Sequence, residues 1–581
     1  MKNVIDKNYV SVRIVNIEWE RVFVVFDLAV DVNNYAKDEE LEFYIVNNLG
    51  SAKAKLNLIQ KENQIYRLKL NLTNNGENRC VPIGTYRIFL CCKEEVLAEC
   101  EADYKIAMDL KKYGRNFLFA NGNGVCAVDF YIEDEEQCLP LRMRVLLAKK
   151  MNSAFPSNKD YKIPPFYKKA WRYFSSSRVF LRNTYNICSK IWKKQRKNTI
   201  LFMTEQSPVL NSNIKAVYDR IKERGLDKEY KLLVSARPAA AEPQSYRSWI
   251  ILVKKLAQSG IVFLDDHAPV LDWMKLKEDT KVIQLWHAGA GFKSSGYSRW
   301  GHKGCPSPQS CHRQYTYGIA GSEQIAHFFS EVWGINDEQV LPTGMPRMDQ
   351  FLNEEYRNRT KKLLYEKFPI CTGKKVILFA PTYRGKNKKT AYYPYELIDF
   401  KRLYQICGDE YVVLFKMHPW VSEAVPIPGN MKDKFMDVNE YPNINDLFYF
   451  TDLLVTDYSS NIFEYSLMRK PMLFFAYDEI QYSFSRGFHR NYKDSAPGKV
   501  CHTFDELLKA IQEKDFEYDK VEEYIEHHFD FIDTHSSDRV IDWIILDKLP
   551  EKYRLSIENR KQENNKMNEM FFDLEELQKN N

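Results

Sequence analysis

At 581 residues, with 44% hydrophobic and 14% aromatic side chains, the chain is long enough for several domains with large cores and too apolar for a disordered protein. No run of about 18 apolar residues is present, which argues against a transmembrane helix, and Met1 to Asp6 lack the apolar stretch of a signal peptide. The twelve cysteines are scattered without zinc-type spacing, as expected of reduced thiols in a cytoplasmic protein, and the net charge of +6 conceals an uneven distribution.

Short, often alternating apolar runs open the chain: Val10–Val15, Arg21–Leu28, Leu41–Val46, Tyr66–Leu72 and Gly84–Leu90, punctuated by turn signals such as Asn75-Gly76. They predict an all-β, sandwich-like accessory domain over residues 1–150, with no catalytic pattern in it. Lys149 to Lys197 then carries fourteen Lys or Arg against Asp160 alone, a local charge of +13 that leaves the rest of the chain at −7. Aromatic residues such as Phe166, Trp171, Phe180 and Trp192 are interleaved with the cations. Residues 151–197 therefore suit either a helical linker or a segment lying on an anionic membrane surface, whereas nucleic-acid binding lacks an accompanying recognition fold.

From Thr199 the texture changes to strand, loop, helix. Thr199–Thr204, Tyr230–Ser235, Ile261–Asp266 and Lys281–Leu285 form one series of compact apolar strands. Lys374–Ala380, Tyr411–Phe415, Leu453–Thr456 and Pro471–Ala476 form a second. Two α/β halves, 198–370 and 371–548, are expected to be doubly wound domains facing a cleft, followed by a polar tail over 549–581.

Ligands of open parallel sheets bind at the carboxyl ends of strands, and the polar motifs lie there. His287 follows Lys281–Leu285 in Trp-His-Ala-Gly-Ala-Gly-Phe-Lys, where Gly289 and Gly291 would let backbone approach a ligand. His418 follows Tyr411–Phe415 in Lys-Met-His-Pro-Trp, and Pro419 turns the chain sharply after it. Thr382 and Arg384 leave the strand ending at Ala380, offering a hydroxyl and a guanidinium fork to a phosphate, and Arg347 in Thr343-Gly-Met-Pro-Arg presents another cation. Asp457-Tyr-Ser459-Ser460 precedes a helical pattern, where serines act as simple caps or, with the helix dipole, bind phosphate.

Together these motifs, in this order over roughly residues 199 to 548, resemble the CDP-glycerol glycerophosphotransferase family, the polyol-phosphate transferases of teichoic acid and capsule synthesis. Where glycerol-phosphate members commonly read Trp-His-Gly-Thr-Pro-Leu-Lys, this chain departs at Ala288 to Phe292 and looks closer to the ribitol-phosphate polymerase branch. The resemblance implies a GT-B architecture with the nucleotide held mainly by the second domain. It also implies a peripheral enzyme on the cytoplasmic face of the bacterial plasma membrane, using CDP-ribitol or CDP-glycerol and a lipid-linked polyol-phosphate acceptor. His287 is then the expected general base, with His418, Thr382, Arg384, Ser459 and Ser460 on the pyrophosphate, Glu464 on a ribose hydroxyl and Asp457 supporting its loop. No Asp-x-Asp motif or acidic cluster suggests a metal, so transfer without a metal or other cofactor is expected. A sugar-nucleotide glycosyltransferase and a non-catalytic membrane- or polymer-binding protein are the alternatives.

Overall fold

The computed structural model describes residues 10–32, 40–48, 50, 52–92, 95–119, 124–133, 139–149, 177–237, 245–289, 293–302, 304–385 and 388–570. The first part is eleven strands: β1 (Ser11–Glu20), β2 (Phe23–Asp31), β3 (Leu41–Asn47), β4 (Lys53–Glu62), β5 (Ile65–Asn71), β6 (Gly84–Cys92), β7 (Glu95–Glu99), β8 (Glu101–Ala102), β9 (Arg115–Phe119), β10 (Gly124–Ile132) and β11 (Leu141–Lys149). They bond as one path, β8-β1-β2-β5-β4-β3-β6-β11-β10-β9, with β7 also on β6, rather than as two separately bonded sheets. Alternation buries one face, for example Leu68 and Leu70 of β5, while register shifts at Ile14/Asn16 and Leu58/Gln60 mark bulges. Such bulges bend strands, which lets a long sheet curl around its own core.

Two six-stranded parallel sheets follow. The first contains β12 (Thr199–Thr204), β13 (Lys231–Ala236), β14 (Ile261–Leu264), β15 (Lys281–Gln284), β16 (Tyr317–Ile319) and β17 (Val340–Leu341), in the order β13-β12-β14-β15-β16-β17. The second contains β18 (Lys375–Phe379), β19 (Tyr411–Phe415), β20 (Phe435–Asp437), β21 (Leu453–Thr456), β22 (Met472–Phe475) and β23 (Lys499–Cys501), in the order β20-β19-β18-β21-β22-β23. The inner strands β18, β19, β21 and β22 are nearly wholly buried, as in a parallel sheet covered on both faces, which is why they read as continuous rather than alternating apolar runs. In the second sheet the order reverses between β18 and β21, which places Thr382 beside Asp457.

The two halves share one apolar core that runs from Ile200 and Phe202 through Trp333 to Leu454, Phe463 and Tyr524. Residues near the C-terminus return to the first half: Asp538 pairs with Arg220 and Arg224, and Arg539 Nε donates to the Thr343 carbonyl at 2.8 Å. The helix Glu551–Met570 also docks on that half, through Lys552 with Glu323 and Arg560 with Glu338.

Of the basic segment, residues 150–176 lie outside the described residues. The part that is described, helix Ser177–Ile191, buries Leu181 and Tyr185 against the first half and leaves Phe180, Ile187 and Ile191 exposed. Among the described residues no helix is long and apolar enough to cross a membrane.

Candidate active site

His287 is positioned from the end of β15 by a buried amide. Gln284 Nε2 donates to the Asp266 carbonyl at 3.1 Å and to the Tyr315 hydroxyl at 2.8 Å, while its Oε1 accepts from Trp286 N at 2.9 Å. Trp286 sits at φ +50°, a conformation that costs a large residue energy and turns the chain out of the strand. The His287 ring stacks on Trp286 with centroids 4.7 Å apart and remains about half exposed, at 51%. Its Nδ1 lies 3.4 Å from the Asp265 carbonyl and 3.6 Å from Asp266 Oδ2. Acceptors behind Nδ1 favour the proton there and leave Nε2 as the free base.

His418, past the end of β19, has the opposite polarity. Its Nδ1 accepts from Trp420 N at 3.1 Å, so the neutral ring carries its proton on Nε2. Burial pushes its pKa down to about 4, and the neighbouring Lys293 and Lys416 add to the effect. Because folding lowers that pKa from 6.5, His418 favours the folded chain above pH 6.5, and this contribution is lost as the pH falls towards about 4. At neutral pH His418 is a hydrogen-bond donor, not a cation.

Arg384 is not free to hold phosphate, contrary to the expectation from its strand-end position. Its Nε and Nη2 bond Asp478 at 2.6 and 2.8 Å, and its Nη1 lies 3.0 Å from Asp457 Oδ2. The guanidinium is 10% exposed and already neutralised by two carboxylates; burial opposes its charge, yet Asp457 and Asp478 raise its pKa. Asp457, buried under the same loop, accepts from Thr382 N at 2.8 Å, Thr382 Oγ1 at 3.0 Å and Tyr458 N at 2.6 Å. It braces the β18 and β21 loops against each other.

Arg347 and Glu464 are corrected in the same way. Arg347 Nε donates to Glu464 Oε1 at 2.7 Å, Glu464 is buried and Arg347 largely so, and neither lines the cleft. The pair joins the two halves, so Glu464 is committed to an arginine rather than a ribose. Gly289 serves the same junction: a methyl there would stand 2.5 Å from the Phe463 ring, so the close approach is to protein rather than ligand. Gly291 lies outside the described residues. The helix after Ser460 is only Ile462–Ser466, and Ser459 Oγ accepts from Asn461 N at 3.2 Å, so a long helix dipole is not available there.

The remaining predicted residues converge. A cavity of about 430 Å³ is lined by His287 from the first half and by Thr382, His418, Ser459 and Ser460 from the second. Lys293, Arg299 and Arg486 line it too, and among the described residues no ion pair engages any of them. They bring to the cavity the positive charge that the sequence pattern had suggested for Arg384 and Arg347. Lys293 and Arg299 lie in or just after the Trp-His motif, a usable signal; Arg486 sits in no strand-end motif. An adjoining groove of about 1250 Å³ shares Tyr383, Tyr482 and Arg486 and adds Tyr392, Tyr477, Glu479 and His502. Among the described residues, the donor atoms of His267, Asp272 and Cys311 converge within 4.8 Å, outside the cavity lining.

The sequence pattern of a family described as CDP-Glycerol:Poly(glycerophosphate) glycerophosphotransferase matches residues 167–546. The chain is 36% identical over 392 residues to the teichoic acid ribitol-phosphate polymerase TarL of Staphylococcus aureus, covering 66% of this chain and 70% of that one. It is 38% identical over 352 residues to the teichoic acid poly(ribitol-phosphate) polymerase of Bacillus spizizenii, covering 60% of this chain and 56% of that one. Among solved structures, the wall teichoic acid polymerase TagF is similar in fold, with a TM-score of 0.52 at 22% identity over 66% of this chain and 98% of that chain.

Proposed function

The chain belongs to the CDP-glycerol:poly(glycerophosphate) glycerophosphotransferase family, and on that premise we propose that it transfers a polyol phosphate from a CDP-activated donor to the terminal hydroxyl of a teichoic acid chain, releasing CMP. The observation that carries this is the meeting of His287 from one parallel-sheet half with His418, Thr382, Ser459 and Ser460 from the other on a single cavity. In a GT-B arrangement the two halves bring acceptor and donor together in this way.

The acceptor hydroxyl attacks the β-phosphorus of the donor. A new P–O bond forms, the pyrophosphate bridge breaks, CMP leaves with the bonding electrons, and Nε2 of His287 takes the hydroxyl proton. Neutral His418 donates from Nε2 to a pyrophosphate oxygen, and Lys293 beside it supplies positive charge for the leaving phosphate. The Thr382, Ser459 and Ser460 hydroxyls complete the donor set. The cytidine fits the adjoining groove, where Tyr383, Tyr392 and Tyr477 offer ring surface and Glu479 an acceptor. No step of this scheme needs a metal.

Ribitol phosphate is the favoured cargo, because the two similar polymerases named above are both ribitol-phosphate enzymes. Purified protein with a polyol-phosphate acceptor is expected to release CMP faster from CDP-ribitol than from CDP-glycerol, and not to consume UDP-sugars. Turnover of UDP-sugars alone would identify a glycosyltransferase and sink this assignment.

With a lipid-linked acceptor, as the family resemblance implies, the enzyme would work as a peripheral protein on the cytoplasmic face of the plasma membrane. Exposed Phe180, Ile187 and Ile191 among Lys190, Lys193 and Lys194 support that placement. Glutamate at Lys193 and Lys194 is expected to weaken binding to anionic vesicles in a co-sedimentation assay, by about 1 kcal/mol per lost cation, while sparing turnover of a soluble acceptor. Unchanged vesicle binding would return the helix to a purely structural role.

A further inference from the structure

The loop bearing Arg299 belongs by sequence to the first parallel-sheet half and by packing to the N-terminal sheet. Tyr297, Trp300 and Cys305 are buried in the apolar core of that sheet. Trp300 stacks on Phe119 of β9 with centroids 5.3 Å apart and planes 14° apart. Gly301 N donates to the Leu118 carbonyl at 2.8 Å, and its φ of +92° lets the backbone lie against Phe117. A second clamp lies nearby: Arg21, in the β1–β2 turn, bonds the buried Glu331 through Nε and Nη2, each at 2.9 Å. His489, fully buried, stands 3.9 Å from Glu331 Oε2 and 3.3 Å from the hydroxyl of Ser298, the residue before Arg299.

What this holds in place is a cation facing others of its own sign. Arg299 and Arg486 both line the cavity, and among the described residues Arg299 bonds the Ser485 carbonyl alone, at 3.3 Å from Nη2, while its buried Nε finds no acceptor. Burial lowers the Arg299 pKa, and Arg486 lowers it further. Two guanidinium groups in a partly desolvated cleft, with no carboxylate partner among the described residues, are unfavourable until an anion bridges them, and the guanidinium fork matches phosphate oxygens.

We propose that Arg299 and Arg486 form a phosphate-binding subsite of the cleft, and that the N-terminal sheet serves the reaction by holding Arg299 in it. The proposal rests on the functional assignment above. The phosphate belongs either to the donor pyrophosphate or to the last phosphodiester of the acceptor, and separate KM measurements distinguish them.

Arg299→Gln in the full chain is expected to raise the KM of one of the two substrates about 10- to 100-fold, the effect of losing a charge-assisted pair, with kcat within about threefold. Trp300→Leu, which removes the stack but not the cation, is expected to raise the same KM, and Trp300→Phe to restore it. In the Arg299→Gln background Trp300→Leu should raise that KM no further. Phe119→Leu repeats the comparison from the sheet side if Trp300→Leu does not fold. Unchanged KM values in Arg299→Gln, or additive effects of the two changes, would overturn the proposal. If the wild-type chain turns over no CDP-polyol, the functional assignment fails instead. Inorganic pyrophosphate binding by calorimetry then decides the subsite: weaker binding by Arg299→Gln supports it and equal binding refutes it.

Discussion

His287→Ala is expected to lower kcat for CMP release by about 10²- to 10⁴-fold while leaving donor KM within a few-fold, the range over which a positioned general base acts. The imidazole is half exposed to the cleft, its Nδ1 is backed by the Asp265 carbonyl and the Asp266 carboxylate, and the backbone of the preceding Trp286 is pinned by Gln284, so the ring is presented with Nε2 free. Removing it deletes proton transfer but none of the groups proposed to bind the donor. The pH profile separates it from the second histidine. With its pKa at about 4, His418 does not change charge between pH 6 and 8. Any acid limb of kcat/KM in that interval should therefore survive His418→Gln. A His287→Ala variant that kept wild-type kcat would remove it from the role of base.

Arg384→Met is expected to be the most destabilising of the cleft-side substitutions, costing roughly 3–5 kcal/mol by leaving carboxylates buried without their counterion. Asp457 is 1% exposed and Asp478 14%, and both are bonded by the one guanidinium. Lysine does not substitute, because a single ammonium cannot reproduce the fork that reaches both acids and the Thr382 carbonyl. Urea unfolding followed by tryptophan fluorescence checks this, with the expected result a lower midpoint for Arg384→Met and a smaller decrease for Arg384→Lys. A raised donor KM with an unchanged midpoint would restore Arg384 to direct phosphate binding.

The contrast between Arg384 and Arg299 shows what could be read in advance. Arg384 lies just past the end of β18, whereas Arg299 lies in the long loop that follows β15 and the Trp-His motif. Whether a guanidinium is free for a ligand depends on which acids reach it, and for Arg384 the decisive partner, Asp478, is 94 residues away in sequence. Arg347 was misplaced for the same reason: Glu464, the partner that occupies it, lies 117 residues downstream. The glycine at 289 was expected to let backbone approach a ligand, whereas the surface it approaches is Phe463, on the other half of the molecule.

By itself the sequence determined the parts governed by local periodicity and chain stiffness. Alternation marked the N-terminal strands, continuous apolar runs marked buried parallel strands, and a polar residue just past such a run identified His287, Thr382, His418 and the serines after Asp457 as strand-end groups. Tertiary structure decided charge pairing and loop ownership. Ion pairs form between side chains brought together by the fold regardless of sequence distance, so it alone shows Arg384 and Arg347 neutralised and Lys293, Arg299 and Arg486 facing the cavity without ion-pair partners among the described residues. Apolar burial is equally blind to chain order: it carries Tyr297 and Trp300 of the first parallel half into the core of the N-terminal sheet, because that is where their surface is removed from water.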